Sequence, residues 1–116
     1  VANPTIVSYK LPTSSTPETG NVPIAVADIK QINIGIRPKS GVAGTYPMQA
    51  VDVTIVPAAD GFSTEPLAVF GLIQPGDYFV AAQTVLKAGG VSVWSVEAPF
   101  TIAQLIPNPP TALSAA

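Results

Sequence analysis

The sequence contains neither cysteine nor histidine. Without cysteine there is no disulfide, no thiol nucleophile and no thiolate metal ligand. Without histidine the usual general base at neutral pH and imidazole ligation are both missing. The compartment stays open, because secreted bacterial and virion modules do without cysteine as readily as cytosolic proteins do. Charge is scarce too: charged residues make up 10% of the chain, against roughly 25% in an average soluble domain. Five Lys and Arg face seven Asp and Glu, scattered singly from Lys10 to Glu97. No basic stripe can neutralise a phosphate backbone, so nucleic acid is not an expected partner. No apolar run approaches the ~18 residues needed to span a bilayer, and no signal-type opening is present. No membrane insertion is expected. The start at Val1, without a methionine, fits a processed or excised segment.

What is present is an apolar fraction of 47% over 116 residues, enough for one self-supporting core and too short for two domains. Thirteen prolines and nine glycines separate short runs rich in Val, Ile, Thr and aromatics, and no segment keeps a helical apolar period. The reading is all-β. From Lys30 to Arg37, Ile32, Ile34 and Ile36 alternate with polar or small residues, which sets one isoleucine row on a core face until Pro38 stops the strand. Met48 to Val56 alternates likewise, with Val51, Val53 and Ile55 expected inward and Asp52 and Thr54 outward. Further strands are expected at Thr5 to Leu11, Leu67 to Leu72, Tyr78 to Val85 and Val91 to Val96. Pro12 to Val22, Lys39 to Gly44 and Pro57 to Gly61 read as loops, the last closing on an Asp-Gly turn. About seven short strands at this spacing predict an antiparallel Greek-key sandwich.

The run Leu72-Ile73-Gln74-Pro75-Gly76-Asp77-Tyr78 resembles the tyrosine corner of fibronectin type III and immunoglobulin-like domains. The Pro-Gly pair stands one residue nearer the tyrosine than in the commoner fibronectin pattern. The resemblance implies that the Tyr78 ring fills one end of the core while its hydroxyl bonds to backbone just upstream. Gly89-Gly90-Val91-Ser92-Val93-Trp94-Ser95 looks like the final hairpin of the same domains. Ser92-Val93-Trp94-Ser95 is also similar to the latter half of the tryptophan and serine box of cytokine receptors. That match fails at Val91, where a tryptophan would stand, and the preceding strand lacks arginines to interleave with indole rings. Val80 occupies the position of the second immunoglobulin cysteine, and Met48 to Val56 lacks a core tryptophan. The resemblance therefore favours the fibronectin type III branch, with residues 1–105 as the sandwich. Residues 106–116 read as a Pro-rich linker: Ile106-Pro107-Asn108-Pro109-Pro110 is an extended spacer. Pro110-Thr111-Ala112-Leu113-Ser114 echoes Pro4-Thr5-Ile6-Val7-Ser8 in three of five positions. A tandem array is the expectation.

For function, the chemistry left by this inventory is carboxylate work by Asp28, Asp52, Asp60, Glu65, Asp77 and Glu97. Acid–base pairs need proximity that the spacing does not predict, so catalysis is not expected. No Asp-x-Asp spacing points to calcium, and Asp60-Gly61 with Glu65 reads as a turn with solvated acids. No cofactor or metal is expected. Trp94 reads as core or surface, with core or inter-sheet packing favoured for so large a ring. Loop aromatics could stack on sugars, and Phe62 and Tyr46 are the candidate ligand contacts. No Arg-Gly-Asp or open Asn-x-Ser/Thr site occurs, Asn3 being followed by Pro4. The sequence thus reads as a non-catalytic spacer or docking module of an extracellular, cell-surface or phage virion protein, with neighbouring domains or subunits as partners. A carbohydrate-binding module is the alternative. Protein contact is expected at strand edges or at the Lys39 to Gly44 and Asp60 to Glu65 loops.

Overall fold

Ile32, Ile34 and Ile36 lie in β2 (Ile29–Pro38), between β3 (Met48–Asp52) and β5 (Gly76–Leu86), in a computed structural model describing residues 3–55, 57–71, 73–104, 107–112 and 114–115. Their side chains are fully buried, each contributing roughly 1.5–3 kcal/mol of transfer free energy. β6 (Ala98–Ile102) pairs with β5, giving a four-stranded antiparallel sheet in the order β3-β2-β5-β6. A second sheet is formed by β1 (Ile6–Lys10) and β4 (Phe62–Pro66), also antiparallel. The molecule is all-β with two sheets. Short 3₁₀ turns occur at Pro17–Thr19, Val26–Asp28 and Leu67–Phe70. Among the described residues no helix is long and apolar enough to cross a membrane.

Tyr9 and Leu11 project inward with Ile29, Ile32 and Ile34 into one buried cluster, and Ile36, Leu67, Ile73, Tyr78 and Ile102 make the other. The Tyr78 hydroxyl donates to the Gln74 carbonyl at 2.6 Å, and its ring stacks on Phe100 at 5.5 Å between centroids. The backward bond expected of a corner tyrosine is therefore present. Leu72, which opens that motif, lies outside the described residues, as do Val56, Ile106 and Leu113.

Four expectations about strand number and extent are corrected. Among the described residues there are six strands and not seven. Val91 to Val96 is not one of them: it touches β5 through an isolated bridge, Val85 with Val91. Leu67–Phe70 is a 3₁₀ turn ended by Gly71 at φ 74°, where β-formers alone suggested a strand. Phe62 starts β4 and is not in a loop. Its strand is short and mostly polar, so its alternation was weak.

The largest correction concerns β3. Ladder pairing sets Met48, Ala50 and Asp52 opposite Ile36, Ile34 and Ile32, so those three share the core-facing side. Asp52 is consequently only 4% exposed, whereas Val53 is 70% exposed. Register with the isoleucine row overrides the local valine alternation. The Thr54 amide then donates to Asp52 Oδ1 at 3.0 Å, an Asx turn that ends the strand. Ile55 returns to the core as expected.

Candidate functional site

The outer face of the four-stranded sheet carries a hub at Arg37. Strand alternation directs this side chain away from the isoleucine row, yet it is buried because two neighbouring segments fold over it. Its Nε and Nη2 donate to the two Glu97 carboxylate oxygens at 2.6 and 2.7 Å. Nη1 donates to the Gly41 carbonyl at 2.9 Å, and the guanidinium lies 4.6 Å from the centre of the Phe79 ring. This paired, two-point geometry is the strong form of an arginine–carboxylate contact. It pulls Glu97 down to about 2, chiefly through the Arg37 hydrogen bond, with the Tyr46 hydroxyl adding to it. One arginine thereby ties β2 to the 39–41 loop and to the approach of β6.

Tyr46 completes the hub by donating to Glu97 Oε2 at 2.8 Å. Its ring rests on Gly35, which has no Cβ to hold it off. Gly35 pairs with Ala81 across the β2–β5 ladder, so two small residues form the recess. Trp94 packs on Tyr46 from the other side, ring centres 4.6 Å apart and tilted by 49°. Trp94 is half-buried on this outer face and not between the sheets. The expectation of core packing is replaced by a lid over Tyr46.

The chain from Val91 to Glu97 reaches this lid with a period of three. Ser92 and Ser95 turn toward β5: their amides donate to the Thr84 and Ala82 carbonyls, at 2.9 and 2.8 Å. Their hydroxyls accept from the Thr84 and Ala82 amides at 2.9 and 3.0 Å, and donate onward to the Val93 and Val96 carbonyls. The serine side chain thus replaces a ladder carbonyl at each contact. Val93 and Val96, each one residue later, are 88% and 94% exposed. Trp94 and Glu97 take the third direction, onto the sheet. Three residues per turn is the repeat of polyproline II, and it explains why alternation misread this segment.

A second polar cluster sits where β3 meets β4. Tyr9 donates to Asp52 Oδ2, and Glu65, inward on β4, shares with Asp52 an open cleft of about 360 Å³ walled by Val51, Val53, Thr54, Thr64 and Pro66. Burial pushes Glu65 upward, and the neighbouring Asp52 charge adds to that. Burial, then the bond to Asp52, moves the Tyr9 hydroxyl well above the ordinary phenol range. Sequence reading placed Asp52 on a solvated face and Glu65 in a loop, and so kept the two carboxyls apart. The register of β3 brings them together. Both Asp52 oxygens are already bonded, one to Tyr9 and one to the Thr54 amide. Among the described residues no group of three or more acidic side chains could hold a metal ion.

Of the two candidate sugar contacts, Tyr46 is 6% exposed and enclosed, whereas Phe62 keeps 42% of its surface in solvent. Only Phe62 offers an open ring. Asp60 Oδ1 accepts from the Phe62 amide at 3.1 Å, forming the expected turn. The 39–44 loop is pinned by Arg37 and by the Lys39 amide donating to the Asp77 backbone carbonyl at 2.9 Å. No protein-family model matches the chain, and no curated protein or solved structure matches it either.

Proposed function

We propose that the chain is a non-catalytic structural and docking module of a larger extracellular, cell-surface or virion-associated protein, built on the fibronectin type III or immunoglobulin-like plan. One observation carries this reading: the buried polar side chains are bonded to other parts of the fold. Arg37 and Tyr46 are bonded to Glu97, Tyr9 to Asp52, and Tyr78 to Gln74. Among the described residues no buried side-chain polar atom lacks a partner, which suits a scaffold whose buried polar groups hold its own segments together. Such a hub stiffens the sheet and fixes its loops, which suits a spacer that holds its neighbours at a set distance.

The family plan is supported by strand order. β3-β2-β5-β6 corresponds to the C′-C-F-G sheet of the immunoglobulin plan, and β1-β4 to its B and E strands. Tyr78 near the start of β5, with its bond to Gln74, fits the corner at strand F. On this correspondence the third strand of the plan is β2, which carries no tryptophan.

The exposed Phe62 ring favours a second reading, a carbohydrate-binding module. A glycan array probed with the native chain and with Phe62→Ala separates the two. Silence from both supports the structural module. A native signal lost in Phe62→Ala would replace it with the sugar-binding one.

A further inference from the structure

The edge strands of the two sheets are not protected alike. Antiparallel alternation decides which backbone groups point outward. Leu11 donates to the Gly61 carbonyl and Leu67 to the Thr5 carbonyl, so the odd-numbered residues of β4 bond to β1, and Phe62, Thr64 and Pro66 face out. That edge is guarded. Asp60 Oδ1 holds the Phe62 amide, the Ala58 amide holds the Phe62 carbonyl, and Pro66 has no amide to offer. In the larger sheet the Lys39 amide bonds to the Asp77 carbonyl, which assigns the odd-numbered residues of β2 and β5 to each other. The even-numbered residues of β5 therefore bond to β6, where Pro99 falls among the outward positions. Proline on an edge is a common guard against strand addition.

β3 has no such guard. The even-numbered residues of β2 bond to it, so Met48, Ala50 and Asp52 spend their amides and carbonyls on Ile36, Ile34 and Ile32. Gln49 and Val51 direct theirs outward, and among the described residues no backbone group bonds to them there. The strand holds neither lysine nor proline, and its register with β2 is unbroken. Val51 and, one step past the ladder, Val53 are exposed. β3 lies mid-chain between described segments, so this open side belongs to the fold itself.

We propose that β3 pairs antiparallel with β3 of a second copy of the chain, joining the two four-stranded sheets edge to edge. The proposal rests on the docking reading and names its partner. The free groups match themselves. Gln49 and Val51 stand symmetrically about Ala50, so a two-fold axis at Ala50 pairs Gln49 of each copy with Val51 of the other. Every outward amide and carbonyl of the strand is then met. The same register sets the two Val51 side chains diagonally across the outer face, within reach of each other.

Charge does not oppose this contact. Met48, Gln49, Ala50 and Val51 are uncharged, and the Asp52 carboxylate is already bonded to Tyr9 and to the Thr54 amide. Two copies, each of net charge −2, thus meet on a neutral stretch. On the inner side the register places Met48 of one copy beside Asp52 of the other, at the cleft that Asp52 shares with Glu65. The thioether side chain covers a cleft that a single copy leaves open. A two-fold contact closes on itself, so association stops at the dimer.

Sedimentation equilibrium on the chain over a range of concentrations tests this. The expected molar mass rises from 11.8 kDa and levels off at the dimer value. Val51→Lys places a charge on the open edge without touching the β2 ladder, and should hold the chain at the monomer mass with an unchanged melting midpoint. If the midpoint falls, amide exchange on the native chain substitutes for the variant. The Gln49 and Val51 amides should then exchange about tenfold more slowly at high concentration than at low, while Thr64 on the guarded edge does not change. A mass that stays monomeric, a rise that passes the dimer without levelling, a dimer retained by folded Val51→Lys, or concentration-independent exchange at Gln49 and Val51 would each overturn the proposal. None of these outcomes bears on the glycan array, so the two readings fail separately.

Discussion

Tyr46 lies on the backbone of Gly35, so closely that a Cβ on Gly35 would come within 2.6 Å of Tyr46 Cγ. In most strands an alanine in place of glycine is stabilising. Here the added carbon meets a ring fixed by Trp94 above it and by Glu97 at its hydroxyl. Gly35→Ala should therefore cost roughly 1 to 3 kcal/mol by overpacking. A urea denaturation midpoint measures it, and the emission of Trp94, the sole tryptophan, should shift to the red as the lid lifts. An unchanged or raised midpoint contradicts the contact.

Trp94 is half-buried and meets the sheet through Tyr46. Trp94→Ala should cost about 1 to 2 kcal/mol, as for an aromatic pair with partial burial, and less than the ~3 to 5 kcal/mol of a core tryptophan. Equilibrium unfolding distinguishes the two ranges. A loss in the upper range would return Trp94 to the core.

The Tyr78 hydroxyl is spent on the Gln74 carbonyl at 2.6 Å. Tyr78→Phe keeps the ring on Phe100 and removes this one bond, so a loss of about 1 kcal/mol is expected. A melting midpoint equal to that of the native chain would mean the corner bond adds nothing.

Two carboxyl groups act on stability with opposite signs. Glu97, held down to about 2 by Arg37, contributes stability that is fully present above the ordinary carboxylate value near ~4.3. That contribution is lost as pH falls through about 2. Glu65, held up by burial and by Asp52, favours folding while protonated. Its contribution is fully present below the ordinary value and is lost as pH rises through its raised one. The melting midpoint should peak in mild acid and fall on both sides. Glu65→Gln should keep the acid limb and flatten the other, above the ordinary carboxylate range. Parallel curves for native and Glu65→Gln over that span count against the Asp52–Glu65 contact.

The isoleucine row, the loops and the corner tyrosine were legible in the sequence, because each depends on residues close together in the chain. The facing of β3 was not. Val51, Val53 and Ile55 make a better apolar row than Met48, Ala50 and Asp52, and only pairing with β2 decides between them. The hub was hidden for a related reason. Arg37 and Glu97 are brought together by the hairpin of β5 with the chain that follows it, and nothing local marks them as partners. Ser92 and Ser95 did carry a signal, a three-residue serine spacing, but valines between them suggested alternation instead. Asp52 and Glu65 each looked solvated for want of the register that buries one and turns the other inward.

The placement of β2 underlies both the hub and the acid pair. Paired with β5, it puts Arg37 under Glu97 and turns Asp52 toward Tyr9; paired with β1 it would do neither. Interproton contacts by NMR on the labelled chain test this most directly. Cross-strand contacts linking Ile34 with Ala82 and Ile36 with Val80 are expected, as their ladder positions require. Cross-strand contacts from Ile34 and Ile36 to β1 or β4, with none to β5, would contradict this placement.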